Sequence, residues 1–283
     1  MSGLTEEKQR NEGINMAKKR KQKTNKKPPV AKVNFQELRE SRDGGQIALR
    51  GYSYQFLYSC YLILSSDTNT VFTLEGIEDI DAIKYSDGNK TITHIQLKYS
   101  TQRQDASFMD SVLKNYLEAY LIDKNRHFKL VYDFSVAAGN LSKLFLGNLD
   151  KKSKEFWEAK IDNIKKETSL WNWSDFDFED FIQRLSFKNI KKDALEKSIE
   201  DSLIKNFEIN TDSISLFANG IKLLCFDKME SRGEISYHEI THCIEEIKFD
   251  ISKGPQNPAH AWIQRLLFSK SDEYSSDYYV GVL

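Results

Sequence analysis

The hydrophobic positions change period along the chain, and each change marks an element. From Gln46 to Leu64, Ile47, Leu49, Tyr54, Leu57, Tyr58, Tyr61 and Leu62 recur at three and four, which predicts an amphipathic helix. Thr70 to Glu75 reads as a short strand. Asp79 to Tyr85 and Thr91 to Lys98 are runs rich in apolar and β-branched residues on either side of Asp87-Gly88, a dipeptide that tolerates the positive φ values of a tight turn. They predict an antiparallel hairpin. Asp105 to Lys124 carries Phe108, Val112, Tyr116, Leu117 and Tyr120 on one side, a second packed helix, and His127 to Ala137 returns as a strand. The order is helix, three strands, helix, strand, an α/β arrangement.

Beyond about residue 150 the pattern becomes helical and charged. Trp157, Ile161 and Ile164 predict one helix, Phe178 to Leu185 another, and Ala194 to Phe207 and Ser213 to Phe226 two more. Ser236-Tyr237-His238-Glu239 is a capping box opening a helix through Ile247. That helix sets His238 and His242 four apart beside Cys243, a zinc-like spacing with only two good ligands and no matching pair nearby. Trp171, Trp173, Phe176, Phe178 and Phe181 form an aromatic cluster read as core or as a protein interface, and Pro255, Pro258, Trp262 and the tyrosine-rich end are a candidate docking segment.

Composition bounds these elements. The chain has 283 residues and 40% hydrophobic content, enough for one large or two modest domains with their own cores. No apolar run reaches a membrane span and the start lacks the apolar core of a secretory signal, so a soluble, cytoplasmic protein is expected. Cys60, Cys225 and Cys243 are odd in number and far apart in sequence, which argues against a disulfide framework. Residues 1–30 carry nine Lys or Arg against three Glu, a net of +6 with almost no apolar pattern, and read as a disordered basic tail able to attract phosphates. The whole chain's −1 less this +6 leaves −7 for residues 31–283.

The hairpin holds the candidate chemistry. Side chains alternate across a strand, so His94, Gln96 and Lys98 share one face while Ile95 and Leu97 take the other, and Asp79 and Asp81 likewise share a face. A turn at Asp87-Gly88 brings the Asp79–Asp81 region opposite Gln96–Lys98, with Glu75 just upstream. Carboxylates, an amide oxygen and an ammonium in one patch suit Mg²⁺, which takes one or two carboxylates plus waters and phosphate oxygens, with a lysine to orient the attacking water. Asp-x-Asp followed by Gln-x-Lys also fits a merely solvated strand face. The four tyrosines Tyr52, Tyr54, Tyr58 and Tyr61 could stack on bases, but at helical spacing they read as core.

Residues 44–64, GGQIALRGYSYQFLYSCYLIL, add a context. Arg50-Gly51-Tyr52-x-Tyr54-Gln55, then Glu75-x-x-Glu78-Asp79-Ile80, then Gln96-x-Lys98 together resemble the PD-(D/E)xK nucleases that serve as effector domains in bacterial antiphage systems. Among these are the endonuclease of cyclic-oligonucleotide signalling systems and the nuclease subunit of Lamassu-type systems. The resemblance covers about residues 44–140. It implies a restriction-endonuclease-like αβββαβ core in a nuclease domain of residues 41–150, preceded by a basic tail of residues 1–40 and followed by a mainly α-helical, partner-binding region of residues 151–283. It further implies an Mg²⁺-dependent DNA endonuclease, with Mn²⁺ as a substitute ion. Glu75, Asp79 and Gln96 would be metal ligands, Asp81 a second candidate, Lys98 the catalytic lysine and Gln55 a supporting residue. Gln96 departs from the usual acid at that position, as this subgroup commonly does. The partners implied are DNA, further copies of the chain and other defence-system subunits, an ATPase among them. A catalytically degenerate adaptor with the same fold is the alternative, and a restriction enzyme cutting unaided is a third reading.

Overall fold

The computed structural model describes residues 44–86 and 88–253. The basic tail, a short helix expected over Phe35–Arg42, Asp87 and the segment from Pro255 onward lie outside the described residues.

The first helix, α1 (Gly44–Leu64), precedes β1 (Thr70–Leu74), β2 (Ile80–Ser86) and β3 (Asn89–Tyr99). Ser86 pairs with Asn89, so the hairpin turn has two residues, and Gly88 supplies a φ of 77° there. A short 3₁₀ turn leads into α2 (Met109–Ile122), then β4 (His127–Asp133), α3 (Asn140–Phe145), α4 (Lys151–Glu167), α5 (Phe178–Gln183) and β5 (Leu185–Asn189). The chain continues through α6 (Lys192–Phe207), α7 (Ile214–Ser231), β6 (Glu234–Ser236) and α8 (Tyr237–Ser252). Ser236 and Glu239 form the anticipated capping box at the start of α8.

The six strands make one mixed sheet in the order β5-β4-β3-β2-β1-β6. β1, β2, β3 and β6 pair antiparallel, whereas β4 joins β3, and β5 joins β4, in parallel. Two of these strands were not expected. Phe178 to Leu185 was anticipated as one helix, but the helix ends at Gln183 and Leu185 opens β5. β5 and β6 have five and three residues, too short for an alternating pattern to stand out against their helical surroundings. The strands thus come from both sides of residue 150.

Each sheet face has its own apolar core. Phe72, Leu74, Ile80, Ile95, Leu97 and Val131 pack against α1, α6, α7 and α8, with Tyr54 and Tyr58 of α1 fully covered. Phe128, Leu130 and Tyr132 of β4 pack on the other side against α2 and α4, where Trp157 and the cluster around Trp173 and Phe181 complete the layer. The apolar stripe of α1 is buried only from Tyr54 onward, since Ile47, Leu49 and Tyr52 are exposed. The three cysteines, distant in sequence, are all buried and unbonded, and Cys60 Sγ lies 3.7 Å from Cys225 Sγ across the α1–α7 contact. Among the described residues no helix is long and apolar enough to cross a membrane.

If α6 helps cover the sheet, truncating its buried side chains must destabilise the whole unit. Leu203 is fully covered, and Leu203→Ala is expected to cost about 2–4 kcal/mol in urea unfolding. Leu170 is 99% exposed, and Leu170→Ala is expected to stay within about 0.5 kcal/mol.

Candidate functional site

The connection from β1 to β2, residues 75–79, carries three carboxylates. Glu75 takes a left-handed backbone conformation (φ 55°), uncommon for a residue with a side chain, and its N–H donates to the Asp79 carbonyl at 3.0 Å, closing the turn. The Gln55 side-chain amide on α1 donates to Glu75 Oε1. The register Ile80↔Ile95, continued by one residue, sets Asp79 across from Gln96, as anticipated from the hairpin. Asp79 Oδ2 accepts the Leu97 N–H at 2.5 Å, which ties the loop to β3. Lys98 lies two residues beyond Gln96 on the same face, partly buried and within electrostatic reach of Glu78 and Asp79.

Asp81 sits on the shared face but has other work. Its Oδ1 accepts from His94 Nδ1 at 2.6 Å and from the Glu78 N–H at 3.4 Å, and its Oδ2 accepts from the Ile77 N–H at 2.8 Å. A side chain at Gly76 would place Cβ 2.3 Å from Asp81 Oδ2, so glycine is needed for this close approach. Both oxygens of Asp81 are therefore engaged in holding the loop.

Glu78 was part of the sequence motif but had no role assigned to it. Strand alternation would send it away from Asp79, yet β2 starts only at Ile80 and residue 78 belongs to the loop, where alternation does not apply. It is buried, and Asn115 of α2 lies beside its carboxylate and favours its ionised form. Burial, reinforced by the neighbouring Asp79 charge and opposed by Lys98, pushes the Glu78 carboxyl up from 4.5 to about 7. Burial likewise raises Asp79 from 3.8 to about 6, against the Leu97 N–H and Lys98, which favour its ionised form. Tyr116 of α2 closes the same region, and its hydroxyl is held well above its ordinary value by burial and then by the charge of Glu78.

Glu75, Asp79 and Gln96 are the side chains that could hold a metal. Gln96 Oε1 is buried and meets no hydrogen-bond donor among the described residues, a state that costs about 1–3 kcal/mol and that a cation would relieve. The set is all oxygen, which fits a small hard cation. Among the described residues no group of three or more His, Cys, Asp or Glu side chains is arranged to hold a metal. His238 and His242 form no such group either: Cys243 is buried in the core, and His242 is exposed with Glu246 at 4.0 Å.

No protein-family model matches the chain, and no curated protein sequence matches it. Among solved structures it is similar to the Cap4 SAVED/CARF-domain containing receptor of Moraxella osloensis, with 16% identity and a TM-score of 0.45 over 71% of this chain and 49% of that one. It is similar also to the Acinetobacter baumannii Cap4 SAVED/CARF-domain containing receptor with the cyclic trinucleotide 3'3'3'-cAAA, with 15% identity and a TM-score of 0.46 over 69% and 48%. The chain spans about half the length of these receptors. The chemistry of residues 75–98 rests on their own geometry.

The raised carboxyls link stability to pH. Unfolded, Glu78 and Asp79 ionise near 4.5 and 3.8; folded, at about 7 and about 6. Their contribution is full below the unfolded values and is lost as pH rises through the folded ones. In EDTA, stability from these groups is therefore expected to fall between pH 5 and pH 8, Glu78 alone accounting for on the order of 3 kcal/mol. Urea unfolding at the two pH values checks this, and Glu78→Gln is expected to remove most of the difference.

Proposed function

We propose that residues 75–98 form the centre of an Mg²⁺-dependent phosphodiesterase acting on DNA, an endonuclease on a restriction-endonuclease-like core. The observation that carries the reading is the buried, unpartnered Gln96 Oε1 beside Asp79, with Lys98 on the same strand face. Glu75, Asp79 and Gln96 would hold the cation, and Gln55 fixes the orientation of the Glu75 carboxylate. When bound, the cation supplies charge to the scissile phosphate and makes water a better nucleophile. Lys98 would orient that water and offset the negative charge that grows on the phosphate oxygens. Glu78, with its raised proton affinity, would exchange a proton with the water or the leaving oxygen near neutral pH.

The motif resemblance over residues 44–140 is what supports a role as the effector of a bacterial antiphage system. The −7 charge of residues 31–283, which opposes the approach of DNA to that part of the chain, supports control by oligomerisation or by partner subunits. Gln96, a neutral amide where the resembled pattern has an acid, favours a second reading, an adaptor that keeps the fold and binds nucleic acid or an ATPase without cutting.

Plasmid cleavage separates the two. Cutting in Mg²⁺, absent in EDTA, is expected to fall at least about 100-fold in Lys98→Ala while its thermal unfolding stays close to wild type. No cutting alone or with proteins encoded beside it, and no Mg²⁺ bound, would leave the adaptor.

A further inference from the structure

We propose that Arg126 and His94 are positioning residues that set the carboxylate-bearing loop through Asp81; the consequence for metal binding rests on the phosphodiesterase reading above. Arg126 precedes β4, far in sequence from the loop. Its guanidinium stays protonated and can only donate, and its Nη1 lies 3.0 Å from His94 Nε2. Nε2 is therefore an acceptor, and the single ring proton of the neutral imidazole sits on Nδ1. That proton is donated to Asp81 Oδ1 at 2.6 Å. The tautomer is thus fixed from both sides of the ring, by a donor at Nε2 and an acceptor at Nδ1, as second-shell partners fix it in metal-site histidines.

The relay is fixed at each step. Arg126 Nε donates to Asp123 Oδ2 at 3.1 Å, which holds the guanidinium from behind. The His94 ring is fully buried and stacks on Phe128 with centroids 5.8 Å apart and 25° between planes, so it cannot turn away. Asp81 passes the constraint on to the Ile77 and Glu78 amides. Those two peptide planes lie inside the loop from which Glu75, Glu78 and Asp79 project. Without the Arg126 donor, the buried Nε2 is left as an acceptor with no partner, the ring loses the contact that fixes it against Asp81, and the hold on the loop weakens.

The test uses the full chain, with Mn²⁺ titrated by calorimetry and hydrogen exchange followed at individual amides by NMR. In Arg126→Ala, exchange at Ile77 and Glu78 is expected to quicken about tenfold while Leu130 in β4 is unchanged, and Mn²⁺ affinity is expected to drop about tenfold. Arg126→Lys, whose ammonium can still donate to Nε2, is expected to fall between; if Arg126→Ala does not fold, a shift of the same two amides in Arg126→Lys supports the relay and no shift overturns it. Unchanged exchange at Ile77 and Glu78, or an equal loss of protection throughout β3 and β4, would overturn it. Quickened exchange at the two amides in a protein that binds no Mn²⁺ even as wild type would leave the relay standing and overturn the phosphodiesterase reading.

Discussion

Like charge crowded into a short, partly buried turn is the constraint on which the rest of this structure depends. Glu75, Glu78, Asp79 and Asp81 fall within seven residues, and burial leaves two of them holding their protons more tightly than free carboxyls do. Water does little to screen such a cluster, so the fold must hold it from several sides. It does so with donors that are mostly backbone or neutral: the Leu97 amide to Asp79, the Ile77 and Glu78 amides to Asp81, and the Gln55 amide to Glu75. Few of these donors are cations, so the cluster keeps its negative potential.

The layered architecture brings these donors together. Glu75 follows β1 and meets α1 on one side, while Glu78, Asp79 and Gln96 meet α2 across the sheet. The apolar halves of the same strands, Ile80, Ile95 and Leu97, anchor the hairpin in the core covered by α1, α6, α7 and α8. Strand alternation therefore divides β2 and β3 into an apolar face that fixes position and a polar face that carries Asp81, His94, Gln96 and Lys98.

Much of this was legible in the sequence because two local rules govern it. Asp87-Gly88 set the hairpin register, and with it the meeting of Asp79 and Gln96, before any tertiary contact was known. The helical period placed Tyr54, Tyr58, Tyr116 and Tyr120 in the core. What escaped the sequence depends on contacts between distant segments or on backbone that follows no period. β5 and β6 exist as strands only because β4 and β1 offer them an edge. Glu78 reaches the site because residues 75–79 turn instead of extending. Asp81 looked equivalent to Asp79 by alternation, and only His94 and the loop amides distinguish them. Arg126 joins His94 across 32 residues of sequence, with no motif to announce it.

The central claim is that Asp79 belongs to a cation site. Calorimetric titration of wild type and Asp79→Asn with Mn²⁺ tests it most directly, since asparagine can still accept the Leu97 N–H and preserve the loop. The account predicts one or two bound ions in wild type, and an affinity at least about tenfold weaker in the variant at a thermal stability no lower than wild type. Equal Mn²⁺ binding by the two proteins, or none by wild type, would contradict it.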